Sequence, residues 1–283
     1  MRLILFITLI TSHLFALINT PMHTEVISVN EKELTIPTIE GAQIGMYGAV
    51  VRWFDQEHST ALSWVEIKAI EGDKTVLSMV PIRALEQSAL PSGNWTPRVG
   101  DEVVLGYNYH RALLIAPNPS IYKKISSYHK ERQWVHPDIF ASVISSKGHP
   151  TPLREDFSYA CRANNIGVVY FMFDKSIMTV DCHSFKILQN KSTSVKSTEQ
   201  QLPFYTRVSH IEANWFGEGS DELEEYDAYY IGLIAENNPE NQWIQTYKRT
   251  REQAIDDNKD ASWFDAWFGN LNRVIDEDND YDN

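Results

Sequence analysis

The chain has 283 residues, of which 43% are hydrophobic and 12% aromatic, and a formal net charge of −13. That composition supports a globular core, while the negative charge argues against nucleic acid or an anionic membrane as partner. The acidity is uneven: from Glu236 to the end twelve acidic residues stand against five basic ones, so more than half of the net charge falls in the last 48 residues.

The chain opens as an export signal would. Arg2 supplies one positive charge, positions 3–18 are almost wholly apolar, and short side chains near Ala16 permit cleavage, which predicts a signal peptide over 1–20. An uncleaved anchor is the alternative. The apolar stretch is short for a spanning helix, carries His13, and is followed by Pro21, so cleavage is favoured. No other segment is long and apolar enough to span a bilayer, so no membrane span is expected after cleavage. The mature protein is expected in the periplasm or at the cell surface.

From 24 to 117 apolar residues alternate or come in short runs at 25–29, 45–51, 63–67, 75–80, 99–105 and 112–115. Short strands at this spacing predict a small antiparallel β-barrel or sandwich. Gly72 and Gly100, each followed by aspartate, mark turns. Beyond Pro117 the pattern is mixed, as in an α/β domain over 118–235. Helices are expected at 119–128, 137–146 and 152–163, each opening on proline. Strands follow at 167–173, 176–180 and 184–188, another at 203–208, and a helix at 226–234. The fold class is therefore α+β and mostly β, with an acidic helical tail over 236–283 whose end is disordered.

Cys161 and Cys182 are the two cysteines. In an oxidising compartment a disulfide is favoured over two free thiols. It would tie a helix to the sheet and close a loop worth about 3 kcal/mol.

Catalytic signatures are absent. Nine histidines occur without a His-Glu-x-x-His, a Gly-x-Ser-x-Gly or a Gly-rich phosphate loop, so no enzyme and no cofactor is expected. The nearest approach to a cluster is His129, His136 and His149 with Asp138, whose irregular spacing gives no zinc signature, and no metal site is expected. His183 is expected on the solvent face of a strand. Trp53, Trp64 and Trp95 are core aromatics or line a carbohydrate- or peptide-binding face. In the tail, Trp263, Phe264, Trp267, Phe268 and Leu271 recur at helical spacing, an apolar face that docks on its own domain or on a partner such as another envelope protein.

The strings GMYGAVV at 45–51, RALLIAPN at 111–118 with Tyr122, Ala160 with Cys161, IGVVY at 166–170, DCHSFKIL at 181–188, PFYTRV at 203–208 and DAYY at 227–230 carry a resemblance. Their order resembles the N-terminal domain of the bacterial plasminogen-binding protein PgbA family over about 24–235. The resemblance implies an exported surface protein without catalysis whose partner is host plasminogen. Plasminogen's kringle modules grip lysine side chains, a role associated in the family with a lysine-rich C-terminal extension. The tail here holds only Lys248 and Lys259 as lysines. The internal Lys123, Lys124, Lys186 and Lys191 are therefore the candidate contacts. The alternative function is a periplasmic scaffold or assembly factor binding another envelope protein.

Overall fold

The computed structural model describes residues 20–80, 82, 95–193, 195, 199–213 and 217–257. Residues 1–19 of the signal expected over 1–20 and the apolar tail positions Trp263, Phe264, Trp267, Phe268 and Leu271 lie outside the described residues. Two compact units are present, one ending at Tyr230 and the other beginning at Ile231.

The first unit is mostly β and holds two sheets. Strands β1 (Met22–Glu25), β2 (Ser28–Val29), β3 (Glu33–Pro37), β4 (Tyr47–Trp53), β5 (Ser59–Glu71), β6 (Lys74–Val80) and β7 (Glu102–Leu105) form an antiparallel sheet in the order β1-β7-β4-β5-β6-β3-β2. The consecutive strands β1 and β2 occupy its two edges, so the sheet curls like a barrel. The segment between them makes the change of partner: Val26 N–H donates to Asp101 O at 2.9 Å, and Ile27 N–H donates to Thr35 O at 2.9 Å. Val26 is buried at that crossing. The alternation along β5 turns Ser63, Val65 and Ile67 inward, as the period of two requires.

Arg111–Ile115 (β8) enters the second sheet rather than extending the first. Its order is β12-β11-β10-β8-β9, with β9 at Gln133–Val135, β10 at Val168–Phe173, β11 at Ser176–Asp181 and β12 at Ile187–Ser192. β8 runs parallel to β9 and β10, β11 is antiparallel to β10, and β12 is antiparallel to β11. A parallel neighbour demands a crossover. Helix α1 (Pro119–Tyr128) supplies it between β8 and β9, and α2 (Pro137–Lys147) with α3 (Arg154–Asn164) between β9 and β10. Prolines open α1 and α2, where a missing N–H costs nothing.

All six residues of β10 are buried, because both faces are covered. Val168, Tyr170 and Met172 share one core with Leu34, Val50, Ile67 and Leu105 of the curled sheet and Ile121 of α1. On the other face Phe171 and Phe173 meet an aromatic stack, with Phe157 at 5.5 Å and Tyr230 at 5.5 Å from Phe171. Phe140 of α2 completes that stack, 4.4 Å from Phe157 and 5.4 Å from Phe204. Tyr226, which opens α4 (Tyr226–Ala235), donates its hydroxyl to Ile115 O at 3.0 Å.

Two expected strands take other forms. Positions 184–186 belong to a turn, with the strand beginning at Ile187, because the Asp181 carboxylate draws the amides of His183 and Ser184 out of the ladder at 2.8 Å each. Phe185 adopts a positive φ of 59° there. Residues 203–208 form no ladder. Tyr205 N–H donates to Ala116 O at 2.8 Å and Gln201 N–H to Pro117 O at 2.6 Å, so this segment straps the end of β8.

In the second unit, α5 (Gln242–Asp257) starts behind Asn241, whose Oδ1 accepts from Trp243 N–H at 3.0 Å and Ile244 N–H at 3.3 Å. The capping oxygen satisfies amides that the first turn leaves without partners. No helix among the described residues is long and apolar enough to cross a membrane.

Candidate binding surface

The strings that carry the family resemblance hold the two sheets together. Asp181, at the end of β11, is fully buried. Its Oδ2 accepts from the Tyr109 hydroxyl at 2.6 Å and from Tyr47 N–H at 3.1 Å, while Oδ1 takes the His183 and Ser184 amides. The Ser184 hydroxyl donates to Gly45 O at 2.6 Å. Gly167 packs so closely that a Cβ there would stand 2.5 Å from Asn108 backbone atoms. Burial pushes the Asp181 carboxyl up to about 6 against those donors, and holds the His183 imidazole down near 4. The His183 ring lies on Tyr47, centroids 4.2 Å apart, rather than on a solvent face.

Cys161 of α3 and Cys182 form a disulfide with Cα atoms 5.8 Å apart, within the ordinary range. The bond fixes α3 beside the Asp181 turn.

The four candidate lysines separate into two kinds. Lys123 and Lys124 lie exposed on α1, whose buried side is anchored by Ile121. The helix is fixed at its start by Asn118, whose Oδ1 accepts from Ile121 N–H at 2.9 Å and whose Nδ2 donates to Glu199 O at 3.0 Å. Tyr128, 72% exposed, is one turn beyond Lys124 and on the same side. Lys186 instead lays its stem against Gly45. Lys191 sits half-buried on edge strand β12, and burial holds its ammonium below the ordinary lysine range.

The histidines do not converge, since each finds a different carboxylate. His129 meets Glu131 at 3.0 Å, His136 caps α2 beside Asp138, and His149 meets Asp156 at 2.9 Å. Asp138 is taken up by Arg207, whose Nε donates at 2.7 Å. One grouping that the sequence spacing concealed is His149, Glu155 and Asp156, with donor atoms within 4.8 Å of one another. Lys147 already places its ammonium 2.8 Å from Asp156, and Asp156 also accepts Leu153 N–H at 2.8 Å. This is a neutralised cap at the start of α3.

The tryptophans part company too. Trp64 is half-buried between Tyr47 and Tyr107, at 5.8 and 5.6 Å. Trp53, at the end of β4, and Trp95, before β7, are more than half exposed rather than in the core, and Phe54 stands 5.5 Å from Trp95. The sequence left core and binding face as alternatives for all three, and the fold separates them.

Comparison with known proteins covers the span that holds all of these strings. The family described as plasminogen-binding protein pgbA N-terminal matches residues 21–234. Two similar relatives are named plasminogen-binding protein PgbA, from Helicobacter pylori strains 26695 and J99, and are 25% and 24% identical over 213 residues. Each match covers 74% of this chain and 46% of the relative, so the chain spans about half the length of the curated relatives it matches. No solved structure matches the chain. Since the matched span runs from just before β1 almost to the end of α4, taking in both sheets and the turn around Asp181, the chain belongs to the plasminogen-binding protein pgbA N-terminal family.

Proposed function

We propose that the protein is an exported, non-enzymatic envelope protein displayed at the surface, that it binds host plasminogen, and that Lys123 and Lys124 supply the cations gripped by plasminogen's kringles. The observation that carries this reading is the family match over 21–234, with relatives named for plasminogen binding. Geometry favours this lysine pair over the other candidates. Both ammonium groups project from a capped helix into solvent, whereas Lys186 and Lys191 are held by the fold. A kringle site needs the whole end of a lysine side chain, which only an exposed one presents. The acidic tail repels the kringle's own carboxylates, so attachment through 236–283 is disfavoured.

The test is binding of the oxidised protein to immobilised plasminogen, with and without a free lysine analogue, at two salt concentrations. Saturable binding abolished by the analogue, and weakened on the order of tenfold in the Lys123→Ala/Lys124→Ala variant, supports the reading. Undiminished binding in that variant removes the lysine pair from it. A complete lack of analogue-sensitive binding removes plasminogen.

A second reading, a periplasmic scaffold for another envelope protein, rests on the apolar spacing of Trp263, Phe264, Trp267, Phe268 and Leu271. Its mark is a partner lost on truncation before Trp263 and indifferent to lysine analogues.

A further inference from the structure

Around Trp53 the curled sheet carries a surface unrelated to the lysine pair. The Trp53 ring is 54% exposed and yet fixed: its Nε1–H donates to Glu102 Oε2 at 2.6 Å, and His23 Nδ1 engages Glu102 Oε1 at 2.6 Å. Trp53 walls a hollow of about 540 Å³ that continues to His23, Glu25 and Glu102, and on its other side lies an open, shallow patch with Phe54 and Asp55. With Phe54, Trp95 and Val99 also more than half exposed, large apolar side chains stand together on one face, a costly arrangement for a surface that meets only water.

The charge around these rings is negative. Arg52 is consumed by Asp101, donating through Nε at 2.8 Å and through a terminal nitrogen at 2.7 Å, and exposed Arg98 leans on the same carboxylate at 3.9 Å. Among the described residues, the ion pairs of Glu102 and Asp55 are with imidazoles, those of His23 and His58. The Trp53 hydrogen bond, then that of His23, holds Glu102 below the ordinary carboxylate range. The surface already accommodates one cation, since the Arg52 guanidinium stands 5.9 Å from the Trp95 ring centroid. Trp53 has the same chemistry with its ring open.

We propose that this face docks a basic peptide segment of a partner protein, one lysine or arginine side chain lying over the Trp53 indole with Glu102 as its carboxylate. Indole face, carboxylate edge, a hollow on one side and an open patch on the other suit an extended chain passing across the ring. The polarity is opposite to that of Lys123 and Lys124, which offer cations where this face receives them.

The experiment is fluorescence anisotropy of a fluorescein-labelled hexapeptide of alternating glycine and lysine, titrated with the full oxidised chain. Matched peptides carry glutamate or norleucine in place of lysine. Saturable binding of the lysine peptide, weakened about tenfold in Trp53→Ala and in Glu102→Gln and unchanged in the Lys123→Ala/Lys124→Ala variant and in Glu240→Gln, is the expected result. Equal affinity in Trp53→Ala and the parent overturns the proposal, as does equal affinity for the norleucine peptide. A readout on the unmutated protein guards against misfolded variants: the Trp53 indole N–H resonance, assigned through its loss in Trp53→Phe, shifts as lysine peptide is added. A stationary resonance overturns the proposal as well.

Discussion

Tyr109 donates its hydroxyl to Asp181 at 2.6 Å, and both side chains are buried where the curled sheet meets the five-stranded one. The hydroxyl is one of four donors on a single carboxylate, and the other three are backbone amides of Tyr47, His183 and Ser184. Replacing Tyr109 by Phe keeps the ring in its place and leaves Asp181 one donor short in a dry site. The expected loss is about 1.5–3 kcal/mol, the range for hydrogen bonds to charged groups. Urea denaturation of the two proteins measures it, and a change in midpoint equivalent to less than half a hydrogen bond would remove Asp181 as the clasp between the sheets.

Acidification separates the two titrating groups at this turn. Burial raises the Asp181 carboxyl from 3.8 to about 6, so the native state binds its proton more readily than the unfolded chain. Its contribution to stability is present below pH 4 and lost as pH rises through 6. Burial, then the Arg162 charge, lowers the His183 imidazole from 6.5 to about 4, so its contribution is lost as pH falls through the same window. Each slope is at most one proton, about 1.4 kcal/mol per pH unit, and the signs oppose. The parent protein therefore has nearly flat stability between pH 6 and 4 as far as these two groups act. His183→Gln should gain stability on acidification relative to the parent, and Asp181→Asn should lose it. Denaturant midpoints at pH 6, 5 and 4 decide this, and parallel profiles for all three proteins would sink the assignment.

Much of the architecture was legible because it is written in local chemistry. Pro119 and Pro137 set the starts of α1 and α2, and the apolar runs that became β10 and β11 identified themselves with the Asp174-Lys175 turn between them. What failed depended on distant partners. Ala112, Leu113, Leu114 and Ile115 read as one more strand of the first sheet, because periodicity does not say which strand is the neighbour, and here the neighbours are β9 and β10. The 184–188 strand slipped because a buried carboxylate captures two amides there. Residues 203–208 have strand-forming side chains but spend their backbone on the loop after β8. The binding surfaces were the least legible. Lys123 and Lys186 look alike in sequence, and only packing against Gly45 distinguishes the second.

The disulfide should act on stability more than on shape. It joins positions 21 apart, Cys161 on α3 and Cys182 at the Asp181 turn, and a loop of that length restricts the unfolded chain by about 3 kcal/mol. Reduction, or Cys161→Ser with Cys182→Ser, should lower stability by about that amount while the far-ultraviolet circular dichroism of the folded state stays unchanged. A reduced protein as stable as the oxidised one would show that the tie adds nothing to the packing of α3.

Arg52 and Asp101 test the rigidity of the aromatic surface from beneath. The pair is buried, doubly hydrogen-bonded and 49 positions apart in sequence, and Asp101 also accepts Arg98 N–H at 2.7 Å. Removing Arg52 alone leaves the buried carboxylate partly stranded, on the Arg98 amide and the exposed Arg98 guanidinium at 3.9 Å, for which about 1.5–3 kcal/mol is the expected cost. Removing both side chains eliminates the stranded charge, so Arg52→Ala/Asp101→Ala should cost less than the two single changes added together, the mark of direct coupling. The guanidinium also donates to Thr96 O at 2.8 Å and faces the Trp95 ring, so the single variant should release Trp95 from its place. Loss of the structured near-ultraviolet tryptophan signal in Arg52→Ala, beyond that in Arg52→Met, would separate the hydrogen bonds from the bulk of the side chain. Strictly additive stabilities would mean that the pair merely shares a pocket and that something other than this arginine orders the aromatic face.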